Sequence, residues 1–278
     1  MERAMKKILL ATDLGANSDR ALERSLKIAK ENGFNLHILH VVIDDENTKK
    51  NTDKVKSYLK DYKDADGLNV VIDIVKSDKP YTTIPEFASK IKAELIIMGL
   101  HGHAKFRDLF LGTTVERVLI NSSTPILMVK DKPVGSYNKI LCGIDFAPAS
   151  KRAFRTATHI APKASFEIIH TYQNIPVYPN PQFINTMGKY TLNEEEREKA
   201  MAAFIKEETK CFKGGSLKLN YEFLKTDPYY ALIQESEKRE IDLICVGAYA
   251  DPSEKIGAVA NSLMSDPPCD LLVSGAKE

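Results

Sequence analysis

The chain has 278 residues, a length that suggests about two domains, with 43% hydrophobic and 28% charged residues and a net charge of +1. That is an ordinary globular balance, and so small a charge supplies no broad field to recommend nucleic acid or a membrane surface as a partner. No segment approaches the roughly 18 apolar residues of a membrane span. The opening Met1–Lys7 leads only into a short apolar run closed by Asp13, so no secretory signal is read and a cytoplasmic protein is expected.

Lys7–Ala11 reads as a short buried strand ending at Asp13. Asn17 or Ser18 can cap the next helix, in which Ala21, Leu22, Ser25, Leu26, Ile28 and Ala29 recur at helical spacing. Gly33 suits its C-terminal stop. Leu36–Val42 is a second strand, Asp53–Tyr62 a helix, Val70–Val75 a third strand and Ile84–Lys92 another helix. Leu95–Met98 and Ile126–Val129 are the fourth and fifth strands. Nearly continuous apolar strands separated by helices predict a parallel sheet covered on both faces.

The pattern is then written a second time. Lys7-Ile-Leu-Leu-Ala-Thr-Asp13 recurs as Lys139-Ile-Leu-Cys-Gly-Ile-Asp145, Pro80-Tyr81 as Pro228-Tyr229, and Glu94-Leu-Ile-Ile-Met-Gly99 as Asp242-Leu-Ile-Cys-Val-Gly247. Pro125–Val129 echoes the strand near Leu271–Val273, and the strand end at His40 echoes that at His170. The fold class expected is α/β. Two tandem open-sheet domains, residues 1–133 and 138–278, each carry a five-stranded, mostly parallel sheet with helices on both faces. The polar, Pro- and Gly-containing stretch Asp131–Asn138 is the linker. The four cysteines, Cys142, Cys211, Cys245 and Cys269, form no C-x-x-C pair and read as reduced structural thiols.

Residues 95–116 carry the chemistry. After the strand Leu95–Met98 come Gly99 and Gly102; nine residues separate Gly102 from Gly112, which leads into Thr113-Thr114-Val115-Glu116. Glycines admit close approach to the backbone, and the start of a helix adds unpaired N–H groups and partial positive charge. Thr113 and Glu116 have capping-box spacing, and Val115, Val118 and Leu119 would anchor the helix to the sheet. The arrangement describes a phosphate cradle; close packing is the alternative explanation of such glycines. The turn after the first strand, Thr12-Asp-Leu-Gly-Ala-Asn17, holds one glycine rather than the dinucleotide fingerprint, and no P-loop is present.

This set of residues resembles the universal stress proteins, whose nucleotide-binding members are similar to G-x-x-G, nine residues, G-[ST] after the fourth strand. Gly99, Gly102, Gly112 and Thr113 fit without a gap, and the resemblance covers essentially the whole chain as a tandem form. It implies a stress-responsive adenine-nucleotide binder, taking ATP or ADP with Mg2+. Thr12, Asp13 and Val41 would hold the adenosine end, with Met98 and Gly99 along the ribose and first phosphate. Gly102, His103, Gly112, Thr113, Thr114 and Val115 would line the phosphates. It further implies a pseudo-dimer of the two halves through Ile126–Val129 and Leu271–Val273, with a homodimer of whole chains open. No resident metal site and no catalytic residue are assigned. A slow ATP hydrolase or adenylyl-transferring enzyme using the same site is the alternative, although the sequence offers no clear base.

The second copy departs from this pattern. Ala250 replaces the second glycine, Asp251 and Glu254 bring negative charge, the loop from Gly247 to Gly257 is three residues shorter, and Ala258 replaces the hydroxyl. This half is expected not to bind ATP in the same way, leaving Asp145 structural or part of a different pocket. The Pro- and aromatic-rich stretch Asn174–Asn185 reads as a surface loop or a cover for that pocket. Asn193–Glu208 reads as an amphipathic helix with its acidic start favourably placed against the dipole. His101 and His103 flank the loop without a converging third ligand, and His37 and His40 read as strand residues. Lys105, Arg107 and Asp108 are either a solvated loop or phosphate- and Mg2+-facing groups.

Overall fold

The computed structural model describes residues 6–14, 18–42, 50, 52–53, 55–57, 65–100, 114–172, 192–210, 212, 217–248 and 256–275. The first half runs β1 (Lys7–Ala11), α1 (Ser18–Asn32), β2 (Asn35–Val42), β3 (Val70–Lys76), α2 (Pro80–Ile91), β4 (Ala93–Gly99), α3 (Thr114–Asn121) and β5 (Ile126–Val129). The second runs β6 (Lys139–Gly143), α4 (Pro148–Ile160), β7 (Ser165–Thr171), α5 (Glu194–Thr209), β8 (Lys218–Leu224), α6 (Pro228–Arg239), β9 (Leu243–Gly247), α7 (Ala258–Ser265) and β10 (Asp270–Ser274). Residues 50, 52–53 and 55–57 are also helical, where the Asp53–Tyr62 helix is expected; its remainder lies outside the described residues.

The two halves share one ten-stranded sheet in the order β3-β2-β1-β4-β5-β10-β9-β6-β7-β8. Within each half every pairing is parallel; between them β5 and β10 pair antiparallel, Met128 opposite Leu271 and Ile126 opposite Val273. The pseudo-dimer contact expected through the fifth strands is thus a continuous backbone ladder. Alternation along each strand splits the core into two layers. Ile8 and Leu10 face α1 residues such as Ala21 and Leu26, while Leu9 and Ala11 join Ile84, Ala88, Val118 and Leu119 of α2 and α3. Both layers are buried, which is why the strands read as nearly unbroken apolar runs.

Local signals explain most boundaries. In α1 the residues at the predicted spacing are all buried, and Gly33 takes φ +65 just past its end, where a Cβ would be strained. The amphipathic helix expected at Asn193 is α5, closed by a capping box in which Asn193 and Glu196 satisfy each other's backbone amides. The helix expected from Ile84 begins four residues earlier, at Pro80. Proline's fixed φ favours the first helical turn, and the apolar periodicity starts only a turn later.

The linker is less free than its composition implies. Tyr137 is 4% exposed and donates its hydroxyl to Asp270 Oδ2 at 2.6 Å, while the Arg24 guanidinium lies 3.9 Å from the tyrosine ring centre. Arg24 Nε is 3.3 Å from the same carboxylate, and Arg24 Nη1 donates to Gly135 O at 2.7 Å. Burial pushes the Asp270 carboxyl up, against the opposing pull of Tyr137 and Arg24. One cluster therefore joins α1, the linker and β10.

Candidate functional site

In an open parallel sheet a ligand crevice forms beyond the carboxyl ends of strands, where the order reverses. In the first half that reversal lies between β1 and β4, with Ala11 beside Met98. Thr12 and Asp13 therefore leave the sheet next to Gly99. The β1 loop is held at several points. Thr12 N donates to Leu39 O at 3.0 Å, Thr12 Oγ1 accepts from Leu14 N at 3.0 Å, and His40 Nδ1 lies 2.8 Å from Thr12 O. Leu14 is forced into the left-handed region at φ 59, the kind of strain that a packed surround sustains near functional sites. Asp13 is left exposed at the rim.

Val41, Met98 and Val115 come together in the apolar layer beneath α2 and α3, with Met98 and Val115 each 8% exposed and Val41 half-buried. Thr114 opens α3 and is exposed. Gly102, His103, Gly112 and Thr113, like His101, Lys105, Arg107 and Asp108, lie outside the described residues. On the opposite face a small, open hollow, with a volume of about 10 Å³, is lined by Leu10, Thr12, Leu14, Asp19, Leu22, Ile38 and Val55. Sequence reasoning missed it. The signal was available in the repeat: Leu14 and Leu22 correspond to Phe146 and Phe154, which pack with Phe204 in the second half.

The second half repeats the frame. Ile144 N donates to Ile169 O at 2.9 Å, His170 Nδ1 lies 2.7 Å from Ile144 O, and Phe146 has φ 63. Asp145 serves the local structure. Its Oδ1 accepts from Ala147 N at 2.9 Å and from Ser150 Oγ at 2.5 Å, organising the entry to α4. At Gly247 an added Cβ would lie 2.5 Å from Ser150 N and 2.9 Å from Ala149 C. Close packing alone thus requires this glycine, and its equivalent Gly99 occupies the same strand position. The cap of α7 is Gly257, which offers no side-chain acceptor. Ala250, Asp251 and Glu254 lie outside the described residues, as does Asn174–Asn185.

The sequence profile of the universal stress protein family matches residues 5–130 and again residues 136–274. The chain belongs to the universal stress protein family. A universal stress protein of Methanocaldococcus jannaschii is 28% identical over 144 residues, 46% of this chain and 84% of that protein. Universal stress protein A homolog 1 of Coxiella burnetii is 26% identical over 153 residues, 51% of this chain and 99% of that protein. The crystal structure of a universal stress protein from Archaeoglobus fulgidus superposes with a TM-score of 0.65 at 18% identity, covering 99% of this chain and 100% of that one. That likeness extends the shared architecture across both halves.

In this tandem universal stress protein several other polar groups serve local structure. His37 pairs with Asp73 at 2.9 Å. Cys142 and Cys245 are buried on neighbouring strands, and burial pushes the Cys245 thiol well above its ordinary value, which suppresses thiolate chemistry. Among the described residues no group of three His, Cys, Asp or Glu side chains is placed to hold a metal ion, and no helix is long and apolar enough to cross a membrane. Burial holds the His170 imidazole below its ordinary value. The unfolded chain then binds more protons near pH 6.5, so the stability this site contributes is present above that pH and lost as pH falls through it. Melting of His170→Gln is expected to fall less steeply than wild type between about pH 7 and 5; parallel curves would refute this linkage.

Proposed function

We propose that the N-terminal half binds one adenine nucleotide, ATP with Mg2+, and that occupancy biases conformation or assembly in a stress response. One observation carries the reading: the glycine motif spans the gap between β4 and α3 at the switch point, where Thr12 and Asp13 leave the sheet beside Gly99. The described residues fit such a guest. Val41, Met98 and Val115 offer an apolar floor, the first amides of α3 lack intrahelical acceptors, and Thr12 and Asp13 supply polar atoms at the rim. The Mg2+ ion would accompany the phosphate oxygens. The degenerate half keeps the frame without the cradle and acts as a structural partner. The domains are read as 1–133 and 138–278, and the protein as cytoplasmic.

Mass spectrometry of small molecules released on denaturing the purified full-length protein tests this directly. An adenine nucleotide near one per chain is expected. A preparation that releases none, and that shows no heat on titration with Mg-ATP, would refute the assignment.

A further inference from the structure

The two halves differ at one place that neither the glycine motif nor family membership assigns. In the first half Arg117, in the opening turns of α3, lays its guanidinium 3.3 Å from the ring centre of Tyr81, in the first turn of α2. Both helices begin at the carboxyl edge of the sheet, since β3 and β4 run parallel to β1 and β2. Tyr81 packs on the same apolar layer as Val41, Met98 and Val115. The pair therefore lies at the same edge of the sheet as the proposed nucleotide site.

Electrostatically this is an unfavourable place for a cation. The starts of both helices carry partial positive charge, and the N-cap of α2 is Lys79, whose side chain caps nothing. Of the other buried or partly buried arginines, Arg24 has Asp270 and Arg239 has Glu167, Glu222 and Glu235, while Arg197 lies over the Tyr172 ring and donates to Leu192 O. Arg117 has no carboxylate among the described residues; its contact there is the Tyr81 ring. Two carboxylates lie nearby in the chain: Asp78, before α2, is exposed, and Glu116, half-buried, precedes Arg117 in the first turn of α3.

The degenerate half removes each part of this arrangement. Its burial register sets Ala260, Leu263 and Met264 against Val115, Val118 and Leu119, so Ser262 stands where Arg117 does. Asp227 replaces Lys79, and its carboxylate caps α6 by accepting from Tyr229 N and Tyr230 N. Tyr229, the equivalent of Tyr81, packs against Tyr230 instead. A guanidinium at this helix position is thus kept only beside the intact glycine motif. A guanidinium suits phosphate oxygens, which accept from its planar fork.

We infer that Arg117 contacts the phosphate tail of the bound nucleotide and sets a preference for tri- over monophosphate, with Tyr81 as the positioning residue that holds the guanidinium at the carboxyl edge. This rests on the proposed nucleotide site. The test is titration of the full-length protein with Mg-ATP, AMP and adenosine, with thermal melts as a check on folding. Arg117→Gln is expected to weaken ATP about tenfold or more while AMP and adenosine bind as in wild type, and Arg117→Lys to recover part of the loss. Tyr81→Phe, which keeps the ring face, should behave as wild type, and Tyr81→Leu should lose ATP selectively. Unchanged ATP affinity in a folded Arg117→Gln would overturn the inference and leave the nucleotide site standing. Equal losses for all three ligands would overturn it as well, because they would mark a purely structural pair. Wild-type protein that binds none of the three would remove both readings together.

Discussion

Replacing Gly102 with Val is expected to abolish ATP binding by the N-terminal half with little change in melting temperature. A phosphate held by main-chain amides requires the backbone to approach within hydrogen-bond distance, and a β-branched side chain at the second glycine of the cradle stands in that approach. The second half carries Ala250 at the matching position, together with two acidic residues in the same loop. A loss of at least about 100-fold, roughly 2.7 kcal/mol, is the expected scale. Isothermal titration with Mg-ATP measures it, and circular dichroism melts establish that the variant is folded. A folded Gly102→Val protein with wild-type affinity would sink the site.

The sheet was legible because parallel strands buried on both faces leave nearly unbroken apolar runs, and because the repeat supplied a second reading of each run. The doubling also pointed to the β5–β10 contact, since Ile126–Val129 and Leu271–Val273 are the matching terminal strands. What composition hides is contact across long separations. Tyr137 sits in a polar linker, yet its hydroxyl meets Asp270 from the last strand; no local pattern around either residue announces that partner. The start of α2 was misplaced for a different reason: Pro80 and Tyr81 precede the apolar stripe, so periodicity is silent on the turn that holds Arg117. For the candidate site, sequence placed Thr12, Asp13, Val41, Met98, Gly99, Thr114 and Val115, and the fold gathers these at one edge around β1, β2, β4 and α3. The hollow between Leu14 and Val55 went unseen because it depends on side-chain size on facing elements.

Substituting Gly247 by Val should destabilise the protein by roughly 3 kcal/mol or more, because overpacking against main chain has little room to relax. The new Cβ would lie 2.5 Å from Ser150 N and 2.9 Å from Ala149 C, both in the first turn of α4. Unlike the end of a flexible side chain, these atoms move only if the helix moves, and α4 is pinned by buried Ala153, Phe154 and Ala157. For a chain of this size a cost of about 3 kcal/mol corresponds to a fall in melting temperature of roughly 6–12 °C. Gly135→Ala is the matched control, since nothing lies within 4 Å of the Cβ it would add. The contrast between glycines is the point of the experiment. Gly247 sits in the half without a cradle, so its need for hydrogen in place of a side chain belongs to packing. Gly102 has no glycine twin in the second half, where Ala250 stands, which makes it the glycine whose loss should silence binding and spare the fold. A Gly247→Val protein as stable as wild type would show that α4 yields easily, and the packing account of this strand end would then fail.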